Sequence, residues 1–398
     1  MTTPAETARD LVVSYCFPPY VDTAAIIAAK RVREAGRPVD VIQNEMSELR
    51  PQDESLALIA DHLVVRRHEV PTPSRFGTWG AVVPWVEQGL DQALAWDRTG
   101  PGYKRLYSRA QFSASHILAA RIKLARPDLR WTAEFSDPLS TDVAGDLRYH
   151  AVRRDPLLTL LGAGLQRAGW PPPENGNLFS WAEELPFGLA DEILFTNEHQ
   201  REQMLEAVAD PDLRDSVRQR STIAPHPTLG PEFYALADPE LTLEPGRRHI
   251  GYFGNFYATR GMDTVLDALA LLPREQRDRL QLHLFAGAHD KLIPLVKKRG
   301  LADVVQVRPF VGFLDFLALT RRMDVLLVND AISTASHTRN PFLPSKWSDY
   351  KGSGTPVWGI VEPGSTLSGQ DLAHRSPVAH VSAAVQVLAR IADEAGRR

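Results

Sequence analysis

The sequence predicts an α/β protein made of two successive doubly wound domains, and three observations predict it. Short apolar runs alternate with longer amphipathic stretches along the chain, which is the pattern of strand–helix units on a parallel sheet. The alternation stops at a polar, turn-rich link near 235–248, with Asp238-Pro239 and Pro245-Gly246, and then restarts. At 398 residues the chain has the length of two domains of ordinary size. Ligands of such folds sit beyond the carboxyl ends of the strands, so the cleft between the two halves is the expected site.

Each element follows from local chemistry. Leu11 to Cys16 is a β-like run broken by Pro18-Pro19, and Thr23 to Ala35 is an Ala-rich helix closed by Gly36. Val39 to Ile42 is the next strand, which completes a βαβ opening. Residues 50–110 break the rhythm. Phe76, Trp79, Trp85, Trp96, Tyr103 and Tyr107 suggest either an inserted helical subdomain with core aromatics or a flap facing an acceptor or a membrane. A helix near 113–125, strands near 131–135 and 192–195, a helix over 198–207 and a strand over 221–224 complete the first half. In the second half, strands are expected at 249–253, 281–286, 304–307, 325–328 and 356–360. Helices are expected at 262–272, 290–298, 313–320, 345–351 and 378–395. The predicted division is 1–240, 241–377 and a last helix, 378–398, packing back toward the first domain.

Composition excludes several classes. Basic and acidic side chains number 45 and 49, so the net charge of −4 lacks the footprint that nucleic-acid backbones require. One cysteine, Cys16, permits no internal disulfide and reads as a small buried hydrophobe. No apolar run approaches the roughly 18–20 residues of a membrane span, and no basic stretch precedes an apolar one in the first ten residues. The expectation is a cytoplasmic protein, with peripheral contact at the inner face of a membrane left open.

Two segments could carry chemistry. Gly251-Tyr252-Phe253-Gly254-Asn255-Phe256-Tyr257-Ala258-Thr259-Arg260-Gly261 reads as strand, glycine turn and helix. Such a turn lets a backbone approach an anion, and Arg260 at the helix entrance can fork onto a diphosphate. The second segment, Asn340 to Val357, contains Ser345 as a candidate N-cap and Lys346 as a candidate phosphate partner. Asp349 is a candidate ribose acceptor, with Tyr350 beside it. The plain alternatives are a structural turn and a solvated Lys346–Asp349 pair.

Together and in this order, the segments resemble the GT-B glycosyltransferases, in particular the large retaining family four. The resemblance spans nearly the whole chain. It rests on Arg260-Gly261 after the glycine turn, on Phe285-Ala286-Gly287-Ala288, on Met323-Asp324-Val325 and on Asp349 followed by Gly354-Thr355-Pro356-Val357. In the first half it rests on Glu134-Phe135-Ser136-Asp137-Pro138 and on Ala190 to Asn197. His226 stands where many members have their interdomain entry. The sequence departs from the family at three places. Many members carry two Glu eight residues apart, but here Asp349 stands at the second position and Pro341 at the first. Asn255 replaces a frequent Arg, and Pro18-Pro19-Tyr20-Val21-Asp22-Thr23 replaces the first Gly-Gly loop.

The resemblance implies transfer of a hexosyl group from a nucleoside-diphosphate sugar to a hydroxyl of a saccharide, lipid-linked saccharide or metabolite, with retention, without metal and without a further cofactor. Gly254, Asn255, Arg260, Ser345, Lys346, Asp349 and Tyr350 are the expected donor residues. Arg260 and Lys346 would answer the charge that grows on the leaving phosphate. Asp137 is the expected proton acceptor, the plain alternative being a turn-initiating Asp before Pro. Tyr20, Asp22, His116 and His226 are further acceptor-side candidates. Two readings on the same architecture stay open: a nucleotide-sugar epimerase and a non-catalytic nucleotide-sugar-binding protein. No Gly-x-Gly-x-x-Gly follows the first strand, which disfavours a nicotinamide dehydrogenase.

Overall fold

Among the described residues, thirteen strands form two parallel sheets, each in a doubly wound order. The computed structural model describes residues 7–394 except 75–76, 256–261, 288 and 334. It divides into two units, Met1–Pro227 and Thr228–Arg398.

The first sheet contains β1 (Asp10–Val13), β2 (Val39–Asn44), β3 (Val64–Val70), β4 (Arg105–Arg109), β5 (Arg130–Phe135), β6 (Glu192–Phe195) and β7 (Ser221–Ile223). Their order is β3-β2-β1-β4-β5-β6-β7. The helix Thr23–Ala35 after β1 begins at Asp22, whose carboxylate accepts from Ala24 N at 2.8 Å. It ends at Gly36 in the left-handed conformation, φ 61°. Residues 50–110 are not an insertion. They supply β3, the long helix Trp79–Thr99 and β4, which lies beside β1 at the middle of the sheet. Trp79, Trp85 and Tyr103 are core residues there, as the aromatic pattern of one alternative required. The strand alternation was hidden because β3, Val64-Val65-Arg66-Arg67-His68-Glu69-Val70, is largely polar. Two helices unassigned from sequence, Pro156–Arg167 and Leu178–Leu189, connect β5 to β6.

The second sheet contains β8 (Arg248–Phe253), β9 (Leu280–Phe285), β10 (Val305–Arg308), β11 (Val325–Asn329), β12 (Val357–Val361) and β13 (His374–Pro377). Their order is β10-β9-β8-β11-β12-β13. The polar strand β13, like β3, gave no apolar signal. Two boundaries are corrected. The division falls at 227/228, before the turn-rich link. Residues 228–235 belong to the second unit because Thr228 and Tyr234 bond the helix Lys346–Ser353. The last helix, Val381–Glu394, buries Ala384, Val387, Leu388, Ile391 and Ala392 in the second unit's own core beside Val265, Leu266 and Leu269. Each large side chain so buried is worth about 1.5–3 kcal/mol, which fixes this helix on that unit.

Candidate functional site

In the second unit Gly254, Asn255, Lys346 and Tyr350 come together at the carboxyl end of β8. Gly254 follows the strand with φ +148°, a conformation that side-chain-bearing residues rarely adopt. A Cβ there would collide with the Lys346 ammonium, so the glycine leaves room for that charge. Lys346 Nζ also stands 4.7 Å from the centroid of the Tyr252 ring, a cation–π distance. Tyr252 is buried and donates its hydroxyl to Asn255 O at 3.1 Å, which holds the turn. Asn255 Oδ1 lies against Gly287, the glycine after β9, where a Cβ would come within 3.0 Å of it.

Lys346 opens the helix Lys346–Ser353, which is tied down at several points. The fully buried Tyr350 accepts from Phe253 N at 3.2 Å, joining the helix to the end of β8. Burial pushes the Tyr350 hydroxyl well above the ordinary tyrosine range, so it stays protonated. Tyr234 donates to Asp349 O at 2.7 Å, and Thr228 donates to Ser348 O at 3.0 Å. Asp349 is 7% exposed and sits one turn after Lys346. Ser345 does not cap the helix. Its backbone is already right-handed helical, its hydroxyl makes no capping bond, and its carbonyl accepts from Ser348 Oγ at 3.0 Å. Arg260 lies outside the described residues, within 256–261.

In the first unit the candidates separate. Asp137 sits in the loop just past β5, partly exposed. Tyr20 is fully buried, with its hydroxyl 3.3 Å from Glu45 Oε1. Asp22 caps a helix and pairs with Arg50 at 2.8 Å. His116 is fully buried on the helix Ala114–Ala125, its Nδ1 2.8 Å from Ser108 Oγ, which also accepts from Trp131 Nε1 at 2.8 Å. Burial, then Arg109, pull His116 down to about 3, so the ring is neutral and packed on Phe135. The placements of Tyr20, Asp22 and His116 are those of structural groups.

His226 touches a network that sequence reasoning missed. Its Nε2 lies 3.4 Å from Arg109 Nη2, and Arg109 Nη1 lies 2.7 Å from the fully buried Glu134. Arg31 reaches Glu134 at 3.2 Å and donates to Ala224 O at 2.7 Å and Pro225 O at 2.9 Å. Tyr107 donates to the same carboxylate. Burial would raise the Glu134 carboxyl, but Arg109 and Arg31 overcome it and hold it at about 2. Burial, then Arg109, push His226 well below its ordinary range. The network clamps the segment leaving β7 to the sheet. Its only signal in the sequence was Tyr107 and Arg109 at period two in β4, which did not by itself point to Glu134.

A second unforeseen network lies in the second unit, past β11 and β12. It comprises Asp330, Ser333, Asn340, Glu362 and Ser365, all buried. Among the described residues, no group of three or more His, Cys, Asp or Glu could hold a metal ion. No described helix is long and apolar enough to cross a membrane.

No protein-family model and no curated protein matches this sequence. Solved structures match over nearly the whole chain. Sucrose-phosphate synthase from Thermosynechococcus elongatus is 15% identical with a TM-score of 0.59, covering 98% of this chain and 91% of its own. The catalytic domain of starch synthase IV from Arabidopsis thaliana, bound to ADP and acarbose, is 9% identical with a TM-score of 0.61, covering 99% and 93%. A UDP-N-acetylglucosamine 2-epimerase is 9% identical with a TM-score of 0.50, covering 95% and 85%. At these identities the likeness establishes architecture: the chain has the GT-B fold, with two Rossmann-like units.

Proposed function

We propose that the protein is a glycosyltransferase that takes its sugar from a nucleoside diphosphate. The observation that carries this reading is the Lys346 ammonium held over Gly254 and the Tyr252 ring where β8 ends and a helix begins. Departure of a nucleoside diphosphate from an anomeric carbon builds negative charge on the outer phosphate. A preorganised cation beside a helix N-terminus is a physical answer to that charge. Arg260 is proposed as its partner cation, Asp349 as the ribose acceptor, and the backbone at Gly254 and Asn255 as a further contact. Tyr350 holds the helix rather than the ligand, and Ser345 contributes through its backbone. Asp137 is proposed as the group that takes the acceptor's proton, and His226 as a positioning group beside Arg109.

The acceptor is a hydroxyl compound, and transfer is proposed to proceed with retention and without metal. The fold shared with an epimerase supports a second reading, conversion of the nucleotide sugar itself. The test is thermal unfolding against UDP, GDP, ADP and dTDP. A ligand at about 100 times its Kd stabilises the fold by about 2.7 kcal/mol. A shift with one diphosphate that Lys346→Ala abolishes supports the donor site, and silence with all four overturns it. Incubating the matching nucleotide sugar alone then separates the two enzymes, since only an epimerase turns it over without an acceptor.

A further inference from the structure

We propose that Glu362, with Asp330 behind it, is a positioning residue of this donor site. It fixes the loop between β11 and the helix Lys346–Ser353, and so decides where the Lys346 ammonium stands. The inference rests on the donor reading given above.

The geometry runs as a chain of contacts. Asp330 follows β11, and its Oδ2 accepts from Glu362 N at 3.0 Å and from Ser365 Oγ at 2.5 Å. These bonds lock the turn after β12, where Ser365 N also returns to Glu362 O at 3.0 Å. Glu362 is thereby aimed back at the loop that follows β11. Its Oε1 accepts from Ser333 N at 3.0 Å. Its Oε2 accepts from Ser333 Oγ at 3.0 Å and Asn340 Nδ2 at 2.8 Å. Asn340 passes the constraint on, donating to Ala331 O at 2.9 Å and accepting from Phe342 N at 3.0 Å. Between Asn340 and Lys346 the chain has Pro341 and Pro344, whose rings fix φ and stiffen the step. An anchor at Asn340 is thus conveyed, six residues on, to the ammonium over Gly254.

Burial argues that this is more than packing. Glu362 is 2% exposed and Asp330 1%. Removing a carboxylate from water is costly, and apolar side chains would fill the same space without that cost. A buried carboxylate that accepts several bonds instead selects one loop conformation out of many. Glu362 need not touch the nucleotide to act. It acts through the placement of Lys346.

The experiment titrates the full-length protein with UDP, GDP, ADP and dTDP and with the four matching nucleosides, and follows the tightest pair. Glu362→Gln places an amide nitrogen against the donors of Ser333 or Asn340. By analogy with groups that orient metal ligands, the Kd for the diphosphate should rise about 10–100-fold. The Kd for the nucleoside should stay within about twofold, because it lacks the groups that Lys346 meets. In a Lys346→Ala background Glu362→Gln should add nothing, since the effect passes through that lysine. Should Glu362→Gln fail to fold, Ser333→Ala removes a single bond and should shift the diphosphate alone, to a smaller extent. A folded Glu362→Gln that keeps wild-type diphosphate affinity, while Lys346→Ala loses it, overturns this inference and leaves the donor site standing. Equal losses for nucleoside and diphosphate also overturn it. Binding of no diphosphate by the wild type overturns the donor reading, and this inference with it.

Discussion

Gly254→Ala should separate two effects that the structure puts at one position. The first is conformational. At φ +148° a side chain is strained whatever space it finds, and such a residue costs of order 1–3 kcal/mol. For a unit of this size each kcal/mol lowers Tm by about 2–4 °C, so a fall of about 2–12 °C is expected. The second effect is steric, and it involves the tip of a flexible lysine, which can swing aside at little cost to folding. That displacement should appear in binding instead. A charge-assisted hydrogen bond is worth about 1.5–3 kcal/mol, so a displaced ammonium should weaken diphosphate binding by about 10–150-fold. Differential scanning calorimetry reads the first effect and isothermal titration with the diphosphate reads the second. Lys346→Ala is the control, expected to match the affinity loss without the strain. A Gly254→Ala protein with lowered Tm and wild-type affinity would refute the claim that the ammonium over Gly254 faces a phosphate.

Glu134→Ala leaves the buried Arg109 without its carboxylate and should cost about 3–5 kcal/mol by urea denaturation; a loss under about 1 kcal/mol would show that Arg109 finds another partner. Glu134 is held at about 2, below its ordinary 4.5. Its contribution is therefore complete above pH 4.5 and lost as pH falls from 4.5 toward 2, and Glu134→Gln should flatten that part of the stability profile. His283, buried against His249, is lowered to about 3 by burial first. Stability from keeping it neutral is present above pH 6.5 and fades toward pH 3, and His283→Gln should remove that slope. Asp137→Asn should slow acceptor-dependent turnover by about 10²–10⁴-fold with diphosphate affinity unchanged, and turnover near wild type would remove Asp137 from the reaction.

The apolar strands and amphipathic helices were legible because their periodicity and caps are local. Gly36 marked the end of the first helix, and the restart after residue 248 announced the second sheet. The strands β3 and β13 were not, because their side chains are largely polar and the sheet alone makes them strands. Lys346, Gly254 and Tyr350 could be picked out by order along the chain, and the fold brings them together around the end of β8. Glu134 and Glu362 could not be assigned roles in advance. Their partners, Arg31, Arg109, Ser333 and Asn340, lie 22–103 residues away, and only the crossovers of the sheet join them.

The last helix, seated on its own unit's core, has an evolutionary consequence. Every described residue assigned to donor chemistry, together with the side chains that brace it, is encoded by one uninterrupted stretch from residue 228 onward. Recombination near codon 228 could therefore exchange the first 227 residues and leave that stretch intact. On the proposed reading, new acceptors would then be acquired by grafting, while the donor-binding half was inherited whole.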